Sequence, residues 1–593
     1  MMQFIKTLLR REIILGRQII PGQRIIPGQR IILGATLFFL PAASFSQSSF
    51  LPQGSAYEHF LDRMQILQQT NPTLNFSSDR PISRKIAVRM AEMADSLSKN
   101  YPYDDIYHLS PVDQATLNSL LVNNIEWSRW NNASFASKTP WFHTFYTEKA
   151  NFYAVKENDF FLAIDPAIEE TQSIESGNNE RVFLNAKGLT LRGMIGGKIG
   201  FSAYLTDNQE RGPTFFQQRA VQFKAVPGAG YWQSFKKDAY DYYDNRASIY
   251  FNALKYFDFQ IGYDKNFIGD GYRSLFLSDY AAPYSFIKIN TRVWKLNYQV
   301  MYMQLVDQHI VNDSNYVYPQ KYGVTHHLSI NVLPWMTVGL FENVIFTRTN
   351  GYAFSYLNPV VFLVSAQQQN GSPDKTTAGL DAKLNIGHSV QLYGQLLIDE
   401  FILHQILHYS DGYWANKQGL QAGLKYINAF NLRNFDLQFE ANVVRPYTYQ
   451  HNDSIDNYSH YNQPLAHPLG ANFEELIAIA RYQPSYKWTL EGKVIWYKQG
   501  LDSAGVNFGG NIFEDYLTRP RDYGFTIGSG IPAKTINLSG LLSYQWRENV
   551  YLDLSAMYRR FSVNDPTNTY HSSSSTTLTA GIRINMFRRQ YDY

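Results

Sequence analysis

There is no cysteine among the 593 residues of this chain. That excludes a disulfide framework, a thiol nucleophile and any cysteine metal site. Beyond its first 46 residues the chain also has no run of about 18 consecutive apolar residues, which argues against a membrane-spanning helix. An excess of one charge sign is missing too. The formal net charge is +3, which argues against nucleic acid as the main partner. What the chain has in abundance is aromatic side chains, 16% of residues, with 43 Tyr and 39 Phe.

The second abundant feature is strict alternation. In 535–547, Ile536, Leu538, Leu542, Tyr544 and Trp546 share a face with Gly540, while Thr535, Asn537, Ser539, Ser543, Gln545 and Arg547 share the other. Leu552, Leu554, Ala556 and Tyr558 likewise oppose Asp553, Ser555 and Arg559, and Leu578, Ala580 and Ile582 oppose Thr577, Thr579 and Arg583. Period two places one face in an apolar medium and one in a wet one. A soluble sandwich would read the same way. Here the wet face is dense in Arg, Asp and Gln, the strands are long, and a secretion signal precedes them. Together these predict a mainly β chain forming a transmembrane antiparallel β-barrel with a polar lumen, and the aromatic excess supplies interfacial girdles. Roughly eighteen alternating windows run from about residue 160 onward, within the range of bacterial barrels.

Residues 1–46 read as a signal peptide, with basic residues Lys6, Arg10, Arg11, Arg17, Arg24 and Arg30, an apolar core at 31–43, and Ser44 and Ser46 before a cut at Gln47. A hexapeptide repeat, 19–24 and 25–30, sits inside it and belongs to a processing segment rather than a solenoid. Residues 47–140 read as a small N-terminal α-helical bundle at the periplasmic end. Tyr57, Phe60, Leu61, Met64 and Leu67 share one helix face, and Ile82, Ile86, Met90, Met93 and Leu97 another. Ser110-Pro111 is a helix start, with Ser as cap and Pro in the first turn. The bundle either braces the barrel or binds a partner. Residues 141–593 are assigned to the outer-membrane barrel. The stretches 206–245 and 445–473 read as long outward loops, since long loops face out and short turns face the periplasm. Tyr591 and the terminal Tyr593 resemble the C-terminal aromatic signal of such barrels.

Three blocks then carry a family resemblance. The first is Gly269-Asp270-Gly271 with Arg273, Ser274-Leu275, Leu277-Ser278 and Ala281-Ala282-Pro283. The second is Tyr356-Leu357-Asn358-Pro359, followed by Leu392-Tyr393-Gly394-Gln395 and Ile398-Asp399-Glu400. The third is Arg445-Pro446-Tyr447-Thr448-Tyr449 with Ala466-His467-Pro468-Leu469-Gly470. In this order they resemble the Wzi-like capsule assembly proteins, and the third resembles their Bacteroidota branch, which includes RemB-type gliding-motility proteins. The resemblance implies an outer-membrane barrel that binds exported polysaccharide and helps attach capsule, without being an enzyme and without a cofactor.

Four constellations are candidates for chemistry. Gly269 and Gly271 suit a tight turn around Asp270, which an Asp270–Arg273 ion pair would fix ahead of Ser278 and Pro283. The segment lacks the phosphate-loop spacing and its Lys. Asp399, Glu400, Glu440 and Asn442 offer carboxylate and amide groups at a strand end and on the lumen face. Paired carboxylates can serve glycoside hydrolysis, solvated charge networks are the ordinary reading, and Glu440 and Asn442 are also candidate ligand-binding residues. His326, His327, His404, His408, His451, His460 and His467 are read as loop histidines in water, because residues four apart in a strand lie about 13 Å apart and suit no shared metal. Finally Tyr447, Tyr449, Tyr458 and Tyr461, with Asn452, Asp456 and Asn457, and also Tyr240, Tyr242 and Tyr243, could stack on sugar rings and bond their hydroxyls. The expected partners are outer-membrane lipid, a surface polysaccharide, and periplasmic or gliding-machinery proteins. The reading is a polysaccharide-binding barrel in the outer membrane. The alternatives are a gliding or adhesion component and a passive porin.

Overall fold

The computed structural model describes residues 49–593 except 70–72, 102, 104–105, 130–134, 254–255, 309–317, 349–350, 401–408 and 504. The signal assignment at 1–46 and the pair His404 and His408 lie outside the described residues.

Eighteen strands form one closed antiparallel barrel. In chain order they are β1 Phe160–Glu175, β2 Val182–Ile195, β3 Ile199–Arg211, β4 Ala239–Ala253, β5 Phe257–Asp264, β6 Tyr284–Val293, β7 Leu296–Val306, β8 Gln320–Leu333 and β9 Met336–Phe346. They continue as β10 Lys375–Ile386, β11 Val390–Glu400, β12 Lys417–Tyr426, β13 Phe435–Val444, β14 Phe473–Ser485, β15 Trp488–Leu501, β16 Ile531–Arg547, β17 Val550–Val563 and β18 Ser573–Ile584. Each strand pairs with its chain neighbours, and β18 closes on β1 with Thr577 opposite Glu175 and Ile584 opposite Ile168. Closure leaves no open edge, which a bilayer demands because hydrocarbon offers no partner to a free N–H or C=O.

The alternation predicted for the last three strands holds in register. Thr535, Asn537 and Ser543 are buried inward, while Leu538, Leu542 and Trp546 are exposed outward. The same rule runs through β10, where Lys375, Asp381, Lys383 and Asn385 point in and Leu380 and Ile386 point out. At the end that carries the short turns, Trp294, Trp335, Tyr486, Trp488 and Trp546 stand exposed around the rim. Amphipathic rings suit the boundary between hydrocarbon and water, so these form one girdle.

Three helices sit in the mouth at that same end: α1 Ala56–Gln68, α2 Arg84–Asn100 and α3 Pro111–Val122. Ser110 caps α3 as its sequence requires, its hydroxyl accepting the Asp113 N–H at 3.0 Å. In α2 the buried stripe is Ala87, Val88, Met90, Ala91 and Ala94. The larger Ile86 and Met93 are only half-buried. Small residues let the helices approach closely, so the stripe is rotated from the one that side-chain size predicted. Arg63 of α1 pairs with Asp113 of α3 inside the bundle, and ion pairs lock the bundle to the wall: Arg63 to Asp436, and Asp62 to Lys425 at 2.6 Å.

The long connections lie at the opposite end, and two differ from expectation. Residues 206–245 are mostly structured. Thr206–Arg211 completes β3, α4 spans Thr214–Phe223, and Ala239 onward belongs to β4. Residues 445–472 turn inward and fill the barrel. With the segment 265–283 they build an apolar core inside the upper lumen, from Ile268, Leu275, Phe276, Leu277, Tyr449, Tyr458, Leu465 and Ala466 packed on Phe341 and Ile345 of the wall. The Phe276 and Phe341 rings stack at 4.3 Å.

Candidate functional site: an occupied lumen beneath an aromatic platform

The Gly-Asp-Gly turn reaches the interior because the N-terminal segment meets it there. Asp79 and Arg80 pair with Ile268 and Phe267 as a two-residue ladder. Asp79 is held by the wall through His327 at 2.7 Å and Asn297 at 2.7 Å. The expected Asp270–Arg273 pair is not the one formed. Asp270 instead accepts from Lys383 of β10 at 2.7 Å. Arg273 turns toward Glu475 of β14 and toward Asp592, at 3.7 and 3.5 Å. The wall and the C-terminal tail offer these charges nearer opposite charges than the turn itself does.

Glu440 and Asn442, on β13, are the anchors of this turn. Glu440 accepts the N–H groups of Tyr272 at 2.6 Å and Arg273 at 3.0 Å, and the Tyr393 hydroxyl at 2.8 Å. Asn442 donates to Glu440 at 2.9 Å and to Glu475 at 3.0 Å. Their hydrogen-bonding capacity is therefore spent on the fold. Gly271 has a steric reason to be glycine, since a Cβ there would meet Glu440 Oε2 at 2.6 Å. Ser278 donates to the carbonyls of Leu465 and Ala466, and the Pro283 carbonyl faces His460 at 3.1 Å, so the two inserted segments hold each other.

The histidines read as loop groups in water are mostly buried partners. His327 bridges Asp79 and Asp381, and His467 meets Glu475 at 2.7 Å. His460 receives the Val306 N–H at 2.9 Å. Burial pushes its imidazole down to about 3, so it stays neutral. Asp399, the strand-end carboxylate, is fully enclosed by Lys375 and the Tyr449 N–H. Among the described residues, no three His, Asp or Glu side chains stand close enough to hold a metal.

Residues 587–593 also differ from expectation. They leave the barrel wall after β18 and fold up the lumen. Arg589 and the Tyr591 hydroxyl meet Glu210 at 3.1 and 2.5 Å, and Asp592 meets Lys493 at 2.7 Å. Tyr593 is buried against Phe215 and Tyr280. In the sequence the alternation of the last strand slips by one residue near Phe587, where this departure begins. Between the tail, the helices and the wall lies a cavity of about 1080 Å³, lined by charged groups that include Arg84, Arg192, Arg246 and Lys265. Lys265 follows β5, and burial draws its ammonium down to about 7.

The tyrosines expected to stack on sugar are mostly inside. Tyr447, Tyr449 and Tyr458 are at most 1% exposed. Their hydroxyls donate to the carbonyls of Asn507, Leu275 and Phe276 at 2.8, 2.8 and 2.7 Å. Tyr461 is half-buried against His460, Asp456 is buried against Thr347, and Asn452 alone of that set is exposed. Tyr240 and Tyr242 are buried as well, while Tyr243 is exposed on the outer wall. A 28-residue loop of aromatics inside a wide barrel gains more from apolar burial than from standing in water, and nothing in its composition separates the two outcomes.

Above this packed layer lies a surface the sequence reading did not single out. The described connections 409–416, 445–472 and 505–530 are knitted together: Trp414 N–H donates to Asp522 O at 3.0 Å, Phe525 N–H to Gly412 O at 2.9 Å, and Tyr447 N–H to Gly509 O at 3.1 Å. Gly509 has φ +79°, and a Cβ there would stand 2.4 Å from Tyr447 N. Trp414 and Tyr516 are half-buried with ring centres 4.7 Å apart, and Tyr413 lies 5.2 Å from Tyr523, which is exposed. The Arg519 guanidinium stacks 4.0 Å from Trp414, and Lys417 Nζ lies 4.0 Å from Tyr516. Cations on both rings fix their orientation. Glu400 and Asp522 put exposed carboxylates at the edge. Apolar ring faces beside carboxylates and guanidinium groups can hold a sugar's C–H face and its hydroxyl rim. The Tyr413-Trp414 dipeptide was a usable signal, but its alignment with Tyr516, about 100 residues on, depends on the fold.

No protein-family model matches the chain, and no curated protein is similar to it in sequence. Solved structures are similar in fold. Wzi, an outer-membrane protein involved in group 1 capsule assembly in Escherichia coli and a carbohydrate-binding β-barrel, aligns with 92% of this chain and 100% of its own, at TM-score 0.54 and 14% identity. OccAB2 of Acinetobacter baumannii and OprD of Pseudomonas aeruginosa each align with 71% of this chain, and with 97% and 94% of their own, at TM-score 0.38 and 10% and 8% identity. At these identities the likeness is one of architecture, and the chain has the fold of an outer-membrane β-barrel of eighteen strands.

Proposed function

We propose that this chain is a Wzi-like outer-membrane barrel of the Bacteroidota branch. It retains surface polysaccharide on its long-loop face and assists capsule or exopolysaccharide assembly or attachment. In this reading residues 1–46 direct export, the helices α1–α3 face the periplasm, and the aromatic platform faces out. The observation that carries the reading is an occupied lumen beneath a solvent-facing platform of Trp414, Tyr516, Tyr413 and Tyr523. A porin needs an open lumen, whereas here the segments 265–283, 445–472 and 587–593 cross it. A repeating glycan laid over one modest aromatic patch per barrel is held by avidity across many barrels.

The test is a glycan array with the purified barrel, run beside the capsule and gliding phenotypes of a deletion strain. Binding to acidic or neutral surface glycans with loss of capsule supports the reading. A gliding or adhesion defect with an intact capsule and a silent array replaces it with a role in a surface machine.

A further inference from the structure

The connection between β9 and β10 has no charged side chain between Arg348 and Asp374. It does not stand above the barrel. It folds down the outside of the wall, where Tyr356, Leu363 and Ala366 cover Val324, Val344 and Phe346, all of which are fully buried or nearly so. These wall positions alternate with inward Thr325, His327 and Asn343, so they belong to the face that elsewhere meets lipid.

The segment is pinned at three heights. At the top, Asp374 accepts from Arg348 at 2.7 and 2.5 Å, from Ser372 at 2.7 Å and from the Tyr356 hydroxyl at 2.5 Å. In the middle, Glu342 accepts the Leu363 N–H at 3.0 Å, at the start of α5 Leu363–Asn370, and meets His326 at 2.8 Å. Lowest, the Tyr302 hydroxyl donates to Leu357 O at 2.8 Å and the Tyr298 hydroxyl donates to Pro359 O. Tyr298 is two residues from the short turn that opens β7, so the segment descends most of the wall.

Its outer side is mainly apolar, with Ser355, Asn358 and Ser365 as exposed polar positions among it. Phe354, Val360 and Phe362 are 84%, 85% and 74% exposed, with Leu357 and Val364 beside them. The polar Gln368, Gln369 and Asn370 come at the far end of α5, back toward the long-loop rim. Leu340 and Leu380 of the adjoining strands continue the same exposed apolar surface. Non-helical backbone survives at membrane depth only where its polar groups find partners. Here the Leu357 and Pro359 carbonyls take wall tyrosines, the Leu363 N–H takes Glu342, the Val360 N–H takes Asn358, and Pro359 has no N–H.

We propose that residues 353–370 form a membrane-embedded flap whose outer face contacts the acyl chains of the bilayer. The flap replaces the lipid belt where the wall carries the outward pair His326 and Glu342, a pair that bare hydrocarbon would not tolerate. This rests on the barrel spanning a membrane, so the test carries its own control for that.

Because the chain has no cysteine, Val360→Cys and Phe362→Cys each give a single thiol. Each is labelled with bimane and the barrel is reconstituted in phosphatidylcholine vesicles, with quenching by brominated acyl chains compared with quenching by aqueous iodide. Leu380→Cys serves as the belt control and Leu517→Cys as the loop control. Labels at 360 and 362 are expected to follow 380, quenched several-fold more by brominated chains than by iodide, while 517 does the reverse. Adding Tyr298→Phe and Tyr302→Phe is expected to raise iodide quenching at 362 with unchanged gel mobility of the unheated barrel. Labels at 360 and 362 that follow 517 overturn the flap. So does protection from both quenchers, which would mean a second copy covers the face. If 380 also escapes brominated chains, the membrane reading itself falls, and the flap with it.

Discussion

Lys383 Nζ, on the barrel wall, stands 2.7 Å from Asp270 Oδ1, at the tip of the turn inserted into the lumen. Both side chains are almost wholly buried. A charge pair in that position fixes where the turn sits, because either charge left alone would be enclosed without a partner.

Asp270→Ala is therefore expected to destabilise the barrel by about 3–5 kcal/mol, the range for breaking one side of a buried pair. The measurement is the temperature at which the unheated gel band converts to the slower unfolded band. Glycan retention per folded molecule should stay near the wild-type value. A larger loss of retention than of stability would make Asp270 a binding residue.

Gly271 and Gly540 make a matched pair. A Cβ at Gly271 meets Glu440 Oε2 at 2.6 Å and Arg273 O at 2.7 Å, whereas at Gly540, on β16, it meets nothing within 4 Å. Gly271→Ala should cost about 1–3 kcal/mol, as overpacking does, while Gly540→Ala should leave the same gel transition unmoved.

The buried and the surface aromatics should separate cleanly. Tyr449→Ala and Tyr458→Ala remove hydroxyls that hold the Leu275 and Phe276 carbonyls and leave a void in the lumen core. Loss of stability comes first in these variants, at about 3–5 kcal/mol for a large buried ring. Trp414→Ala with Tyr516→Ala strips the platform. Each lost ring contact is worth on the order of 1 kcal/mol, so glycan retention should fall several-fold with the gel transition little changed. Retention that survives the platform variant but fails in the buried ones would move the binding site into the lumen.

Glu58 of α1 gives a pH dependence. Burial pushes its carboxyl up from 4.5 to about 7, against the opposing pull of Arg80 at 3.6 Å and the Gly54 N–H at 3.1 Å. The folded carboxyl thus holds a proton that the unfolded one releases, so stability falls as pH rises through the interval between those two values. Helix α1 should lose amide protection, by up to about 3 kcal/mol, as pH goes from about 5 to about 8. Glu58→Gln should flatten that slope and exceed wild type at the alkaline end. Equal slopes in hydrogen-exchange protection factors, corrected for intrinsic rates, would remove Glu58 as the cause.

Alternation with period two determined the long strands, their number only to roughly eighteen, and which face of β16, β17 and β18 is apolar, because side-chain direction in a strand depends only on parity. The secretion signal and the polar inner face were what turned that alternation into a barrel. The Ser110 cap was equally local, a hydroxyl three residues from the N–H it satisfies. What only the tertiary structure decided is where the long connections go. Arg273 ignores Asp270 for Glu475 and Asp592, which are about 200 and 300 residues away in sequence, since charges pair by distance in space. The aromatic stretch 445–472 could stack on a glycan or fill a lumen with the same composition, and the width of an eighteen-stranded barrel made filling the favourable choice. The charge-free run 351–373 was legible as a string of letters. Its place on the outer wall was not, because that depends on Glu342 of β9 and Tyr298 and Tyr302 of β7 facing outward to receive it.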